Sequence, residues 1–516
     1  MTGFLPLLDL PQRTISELLD RALAFGRDRA FLIDLVGNVT LTYGEFLEHV
    51  SALANELANR FAPGTMVAVM LPNSREYVVL RYAMSCAGLI EAALNPEHRW
   101  AVLERMVAQA RPQALIVDDA RLSQVLSCGH DIERMPRILG SELALLCRAR
   151  KSWDERPKIS LGPGSIARII FTSGTTGGSK GAQLSHAYEV FTGERIIHRI
   201  GFTSDDRWLY VTPFFHVDAL IVVAALLHTG GAFVLAPDFS LSRFWDDVRR
   251  SGATSFVYVG TILALLLKGQ DPPAGHTLRS AVGGGCPITV WEEFERRFGI
   301  TIVEAYAMTE CIACTMTWRD HRRVGSCGKP HQGYEIAIVD GIDRPLPPGQ
   351  AGEIVIRSTE PWGFMSGYLN AEAATVASQR NFWFHTGDLG VLDEEGWLYY
   401  RGRLKDVIRR RGENISAEEL EGIANKHPSV LVSAAMGVPS SVGDEDVLLY
   451  VQPKPGADFD PGALCDFIAS QAAAFMVPLY VAVIDEMPFT PTQKVAKTKL
   501  PRRTGPDLWT NPQARR

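Results

Sequence analysis

The chain has 516 residues, 46% of them apolar and 21% charged. That is more than one ordinary core of ~100–200 residues accommodates, and it is far from the composition of a disordered chain. With 52 Lys and Arg against 58 Asp and Glu the formal charge is −6, which argues against a general electrostatic grip on nucleic acid or anionic membrane and leaves only a local basic patch open. The opening Met1-Thr2-Gly3-Phe4-Leu5-Pro6 has no basic run ahead of its apolar residues, so no secretory leader is expected. Met66-Val67-Ala68-Val69-Met70-Leu71 reads as a buried strand, followed by a helix from about Ser74 to Ala87. Gln113–Val117 and Ala167–Phe171 are further strands, and strands separated by helices predict parallel sheets with helices on their faces. The polar stretch Arg148–Ser165 reads as a surface connection. The longest oily runs, Ala219–Leu227 and Thr261–Leu267, fall far short of the ~20 residues that span a bilayer.

Beyond about Gly349 the texture changes. Glu353-Ile354-Val355-Ile356-Arg357 and Gly396-Trp397-Leu398-Tyr399-Tyr400 have the pattern of short antiparallel strands. A basic segment begins at Arg401, a smaller unit occupies about 405 to the end, and the polar tail after Leu500 is expected to be loose. Eight cysteines are scattered along the chain. The pair Cys311-Ile312-Ala313-Cys314 lacks a second Cys or His pair at zinc-finger spacing, so small buried cysteines in a reducing cytoplasm are expected.

The sharpest local feature is Thr172-Ser173-Gly174-Thr175-Thr176-Gly177-Gly178-Ser179-Lys180-Gly181. It follows a strand and precedes a helix-like run. Its glycines leave backbone N–H groups accessible, its hydroxyls add donors and its lysine adds charge, a combination suited to a polyphosphate. It is not a Walker A loop, because Ser179 and Gly181 stand where that pattern needs Gly and Ser or Thr.

This loop resembles the phosphate-binding motif of the acyl-adenylate-forming superfamily, which contains acyl-CoA ligases, firefly luciferase and peptide-synthetase adenylation domains. The resemblance runs in order along most of the chain, from about Leu41 to Leu500. Leu41-Thr42-Tyr43-Gly44-Glu45-Phe46 resembles the early motif, Pro213-Phe214-Phe215-His216 the gate at the acyl pocket, and Tyr306-Ala307-Met308-Thr309-Glu310 the adenine and magnesium motif. His385-Thr386-Gly387-Asp388 resembles the ribose motif, and Gly402-Arg403-Leu404-Lys405-Asp406 with Gly412-Glu413-Asn414-Ile415 the hinge and thioesterification loop. Thr490-Pro491-Thr492-Gln493-Lys494-Val495 resembles the C-terminal lysine loop. The branch that looks nearest is the carnitine/crotonobetaine-CoA ligase-like one, especially around Pro213–Asp218 and Phe244-Trp245.

The resemblance implies an α/β protein. Its large N-terminal domain, 1–404, has stacked αβ subdomains plus a β-barrel-like part, and its small mobile α+β lid domain is 405–516. It implies ATP or acyl-AMP, CoA and Mg²⁺ as cofactors and a carboxylic acid or acyl-adenylate as substrate, with no nucleic acid or membrane partner and a cytoplasmic location. A partner adenylating enzyme and a homodimer stay open. It places Thr172, Ser173, Gly174, Thr175, Thr176 and Lys180 on the phosphates, Tyr306 on adenine, and Asp388 with Arg403 at the ribose. Asp388 would offer two acceptor oxygens to the ribose hydroxyls. Glu310 and Thr176 would hold Mg²⁺, which commonly takes one or two carboxylates beside phosphate oxygens. Thr309 would donate to the α-phosphate and Lys494 would bridge the carboxylate and that phosphate as charge shifts. His216 would block the thiol until the adenylate forms. Rotation at Lys405 would bring Arg411, Gly412 and Glu413 to CoA, and Arg409-Arg410-Arg411 either attracts CoA phosphates or is a solvated hinge face.

The acyl pocket would include His216, Gly283, Gly284, Gly285 and Ala307. The small residues of Val282-Gly283-Gly284-Gly285-Cys286 leave room for a bulky or polycyclic acid of secondary-metabolite type, unless they serve a turn that needs glycine. No acidic residue in these segments is placed to hold an α-amine, so a free amino acid is disfavoured.

Three departures from the pattern fall on parts that make the adenylate: Ser179 for the usual Pro, Ala307 for the Gly after Tyr306, and Gln493 for the Gly before Lys494. Two readings stay open: adenylation is weakened and the chain chiefly thioesterifies a supplied acyl-AMP, or loops of this family vary at these positions and the full reaction survives, the reading slightly preferred. The alternatives are an enzyme that loads a carrier-protein thiol and a non-catalytic adenylate sensor. Retention of Lys180, Glu310, Asp388, Arg403 and Lys494 argues against the sensor.

Overall fold

The computed structural model describes residues 8–98, 100–172, 180–404, 407–410, 413–440, 445–472, 474–490 and 495–512. The chain forms two compact units, Met1–Glu335 with Arg357–Phe382, and Ile336–Ile356 with Trp383–Arg516.

The first unit contains two largely parallel sheets. In one, the order is Arg137–Leu139, Ala114–Val117, Met66–Met70, Ile90–Ala93, Ile166–Thr172 and Lys180–Ser185. Its first five strands are parallel and the last is antiparallel. Its strands are nearly continuous apolar runs, as a sheet covered on both faces requires. The helix after Met66–Met70 is Arg75–Cys86, started by Ser74, whose side chain accepts the N–H of Tyr77.

The second sheet has nine strands. Its parallel centre comprises Thr301–Met308, Ser280–Gly284, Ser255–Val259, Arg207–Tyr210, Ala232–Leu235 and Ala30–Asp34. One edge is closed by antiparallel Val39–Thr42, the other by Cys311–Met316 and Lys329–Pro330. Phe244, Phe256, Trp291 and Phe294 anchor the core on this sheet. The oily run at Ala219–Leu227 lies within the helix Asp218–Thr229 and is buried throughout. It packs so closely on the helix His186–Ile200 that a Cβ on Gly193 would stand 2.5 Å from Ala224 Cβ. Among the described residues no helix is long and apolar enough to cross a membrane.

In the second unit, Gly352–Ser358, Trp383–Leu392 and Leu398–Arg403 form an antiparallel sheet, and Val407–Arg410 pairs with Glu413–Ser416. A further four-stranded sheet runs Val430–Pro439, Glu445–Pro453, Tyr480–Val483 and Trp509–Thr510. Alternation along Glu445–Pro453 divides the two cores it supports. Val447, Leu449 and Val451 pack with Leu420, Leu464 and Ile468 of two helices, whereas Leu448 and Tyr450 pack with Met487 and Leu500.

Two expectations are corrected. The tail after Leu500 is not loose throughout: Trp509–Thr510 pairs with Tyr480–Val483, and Leu508 is buried in that core. No helix opens at Lys180 after the glycine-rich segment. Lys180–Ser185 is a strand paired antiparallel to Ile166–Thr172, and the helix starts only at His186, capped by Ser185. Cross-strand pairing overrides the helix-forming content of Lys180-Gly181-Ala182-Gln183-Leu184.

Candidate active site

In the first unit the site is built on two hairpins. The first sets Thr172 opposite Lys180, with the Thr172 hydroxyl donating to the Lys180 carbonyl at 3.3 Å. Ser173, Gly174, Thr175, Thr176 and Ser179 lie outside the described residues. The second joins Thr301–Met308 to Cys311–Met316 through the turn Thr309-Glu310, with Met308 paired to Cys311. Glu310 thus stands at a hairpin tip. Tyr188 braces that tip from below: its hydroxyl donates to the Thr309 carbonyl at 2.9 Å and accepts the Ile312 N–H at 2.8 Å.

The segment 365–369 ties the hairpins together. Met365 N–H donates to the Glu310 carbonyl at 3.0 Å, Gln183 N–H to Gly367 at 2.9 Å, and Leu369 N–H to Gly181 at 2.8 Å. This backbone sets Tyr368 between two of the residues singled out in the sequence. Its hydroxyl donates to Glu310 Oε1 at 2.5 Å, and the Lys180 ammonium lies 5.1 Å from its ring centroid. Glu310 is buried. A lysine, an aromatic ring and a carboxylate therefore form one connected chain at the ends of the two hairpins. Tyr368 escaped the sequence reading; its only signal was the run Ser366-Gly367-Tyr368-Leu369-Asn370 between the adenine and ribose motifs.

Tyr306 is buried on its strand, paired with Thr315. A register shift separates Tyr306 from Met308, and such bulges re-aim side chains near sites. Ala307 falls in that bulge, is exposed, and does not have a positive φ. It therefore costs no left-handed backbone strain, which removes one of the two reasons for needing glycine there.

The glycine run has a backbone cause. A Cβ on Gly283 would meet the Tyr258 carbonyl at 2.0 Å, one on Gly284 the Ala305 carbonyl at 2.9 Å, and Gly285 has φ +80°. Close approach and a left-handed turn account for all three, so they carry no message about the size of the acid. Glu304, also unforeseen, shapes this wall. Its Oε1 accepts the N–H groups of Gly285 at 2.5 Å and Cys286 at 3.1 Å, and its Oε2 accepts the hydroxyl of Tyr258.

His216 sits on the turn following Arg207–Tyr210, with its N–H donating to the Pro213 carbonyl at 3.1 Å. Burial lowers its pKa and nearby Asp218 acts in the opposite sense, so the ring is held neutral at ordinary pH.

The second unit carries His385-Thr386-Gly387-Asp388, expected at the ribose, on the strand Trp383–Leu392 rather than in a free turn. Asp388 is buried and pairs across the sheet with Arg403, its Oδ1 2.9 Å from Arg403 Nε. Arg403 also donates to the Thr386 carbonyl at 3.2 Å. Glu353, unassigned by the sequence reading, fixes the motif: it contacts His385 Nδ1 at 2.8 Å and accepts the Gly387 N–H at 3.0 Å. Gly387 has φ +69°, a conformation suited to glycine.

The basic run is corrected at its centre. Arg410 neither faces solvent nor awaits a phosphate: it is buried, donates to the carbonyls of Phe475 and Val477 at 3.0 and 2.7 Å, and lies 3.4 Å from Asp446. Glu413 opens the strand paired with Val407–Arg410. Lys405, Arg411, Gly412, Gln493 and Lys494 lie outside the described residues. Immediately after the lysine loop, Val495 bridges to Phe489, and Lys497 meets Glu421 at 2.6 Å.

The family described as AMP-binding enzyme matches residues 19–369, and the AMP-binding enzyme C-terminal domain matches residues 419–494. The chain is 31% identical over 510 residues to Probable CoA ligase CCL9 of Humulus lupulus, across 94% of this chain and 95% of that one. It is 29% identical over 512 residues to the crotonobetaine/carnitine–CoA ligase of Citrobacter koseri, across 93% of this chain and 97% of that one. Among solved structures, ATP-bound MatB from Rhodopseudomonas palustris superposes with a TM-score of 0.86 at 26% identity, across 94% of this chain and 98% of the other. The chain belongs to the AMP-binding enzymes of the acyl-adenylate-forming superfamily, in the acyl-CoA ligase branch, whose reactions use ATP or acyl-AMP together with CoA.

Proposed function

We propose that this chain carries out both half-reactions of acyl-CoA synthesis. A carboxylate oxygen attacks the α-phosphorus of ATP and pyrophosphate leaves. The CoA sulfur then attacks the acyl carbon, AMP leaves with its electron pair, and the thiol proton passes to water or a basic group. The observation that carries this reading is the linked Lys180, Tyr368 and Glu310 at the hairpin ends. Lys180, with Thr172–Thr176, would hold the phosphates. Glu310 and Thr176 would hold Mg²⁺, whose bound charge would offset that of the phosphates; one buried carboxylate beside a phosphate-binding loop fits the ligand set magnesium takes.

Thr309 and Lys494 would stabilise charge at the α-phosphate. Tyr306 would pack on adenine, and Asp388 with Arg403 would hold the ribose. His216 would gate the thiol, with Gly283, Gly284, Gly285 and Ala307 around the acyl group. A hinge at Lys405 would divide a body of 1–404 from a lid of 405–516, delivering Lys494 for the first step and the Arg411–Glu413 loop for the second.

The competing reading, thioesterification of a supplied acyl-AMP alone, rests on Ser179, Ala307 and Gln493. The absence of left-handed strain at Ala307 favours the complete reaction. Exchange of labelled pyrophosphate into ATP, dependent on an added acid, tests the choice. Exchange is expected; thioester from synthetic acyl-AMP without any exchange establishes the competing reading.

A further inference from the structure

The turn that carries His216 is fastened to a different sheet from the one it grows out of. Asn73 lies in the connection from the strand Met66–Met70 to the helix Arg75–Cys86, in the first sheet. The turn at 212–217 follows Arg207–Tyr210, in the second. Asn73 Oδ1 accepts the Phe214 N–H at 2.7 Å, and Asn73 Nδ2 donates to the carbonyls of Thr212 at 2.9 Å and Ala236 at 3.3 Å. Both ends of one amide are thereby engaged on a turn 141 residues away.

The helix that follows supplies the rest of the seat. Its Tyr77 and Arg81 stand four residues apart, which aligns them along one side of it. The Phe214 ring meets Tyr77 edge-on at 5.1 Å, and the Arg81 guanidinium lies 4.1 Å from its centroid. Arg81 cannot drift, because Nε and Nη2 each hold one oxygen of Glu91 at 3.0 Å and both residues are fully buried. Phe214 is therefore clamped by its N–H and by its ring, two residues before His216.

We propose that Asn73 is a positioning residue for the thioester-forming half-reaction, holding the 212–217 turn so that the His216 ring occupies, and swings from, the thiol's path. The inference rests on the gate role proposed for His216. Asn73 touches no reacting atom; it acts through Phe214 and the turn. Because the turn is fixed at its backbone, gating falls to the His216 side chain rather than to movement of the loop.

The test is a double-mutant cycle on the full-length chain, with Asn73→Ala and Asn73→Asp each made in wild-type and His216→Ala backgrounds. The aspartate keeps the shape and the acceptor for Phe214 N–H but loses both donors. Two rates are read per active site: pyrophosphate exchange, and acyl-CoA formation from synthetic acyl-AMP and CoA. In the wild-type background, either substitution should slow thioester formation by about tenfold or more, the scale of a misplaced reacting group, with exchange changed by less than about twofold. In the His216→Ala background, the same substitutions should add almost nothing. Equal losses in both half-reactions, or equal losses in both backgrounds, overturn the inference while leaving the gate reading intact. His216→Ala without effect on thioester formation overturns both.

Discussion

Tyr368 Oη donates to Glu310 Oε1 at 2.5 Å while the Tyr368 ring lies 5.1 Å beneath the Lys180 ammonium. One side chain thus orients the carboxylate proposed for the metal and supports the cation proposed for the phosphates. Tyr368→Phe keeps the ring and removes the hydroxyl. A hydrogen bond to a charged group is worth about 1.5–3 kcal/mol, so exchange should fall about ten- to a hundredfold. The deficit should shrink as magnesium is raised. Exchange rates measured over a magnesium series check this, and an unchanged rate contradicts it.

Glu353 holds the 385–388 segment, proposed for the ribose, through His385 and the Gly387 N–H. Glu353→Ala removes two hydrogen bonds of about 0.5–1.5 kcal/mol each and should raise KM for ATP about five- to 150-fold. KM for CoA in the reaction from acyl-AMP should move less. Initial-rate kinetics on both substrates separate the two.

Ala307 is exposed and does not have a positive φ. Ala307→Gly should leave stability within about 1 kcal/mol, the usual cost of glycine in a strand. If the methyl restricts the acyl pocket, KM for the acid falls and exchange rises. Thermal melting alongside exchange with a panel of acids reads both.

The buried Arg81–Glu91 pair underlies the His216 turn. Burial alone would raise the Glu91 carboxyl, yet Arg81 and Arg168 together hold it below its ordinary value. A carboxyl depressed in the folded state contributes stability that is present above its unfolded pKa and lost as pH falls through the folded one. Glu91→Gln leaves two buried guanidinium groups short of a charge partner and should cost about 3–5 kcal/mol at neutral pH. Its urea midpoint should also vary less with acid than that of the unsubstituted chain. Urea titrations across the acid range check both the cost and the sign.

Much of this was readable in the sequence because it is local. The apolar run at 66–71, the helix that starts at Ser74, and the strand at 113–117 each announce their element within a few residues, and the structure contains all three. What was not readable depends on pairing across long separations. Lys180–Ser185 became a strand because Ile166–Thr172 and the 365–369 backbone supply its partners. Tyr368 meets Glu310 across 58 residues, and Asn73 meets Phe214 across 141. Arg410 reads as one of three equivalent surface arginines, yet it is buried and the carbonyls of Phe475 and Val477 claim it. The glycines at 283–285 left two readings open, substrate space or a turn, because the Tyr258 carbonyl that crowds Gly283 lies on a neighbouring strand.

One chain is proposed both to activate the acid and to transfer it to the thiol. The most direct measurement supplies the purified protein with a panel of carboxylic acids, ATP, magnesium and CoA, and follows pyrophosphate, AMP and acyl-CoA by mass spectrometry. Stoichiometric release of pyrophosphate and AMP with acyl-CoA, and acid-dependent pyrophosphate exchange when CoA is omitted, is the predicted result. Acyl-CoA formed only from synthetic acyl-AMP, with no pyrophosphate from any acid, would contradict it.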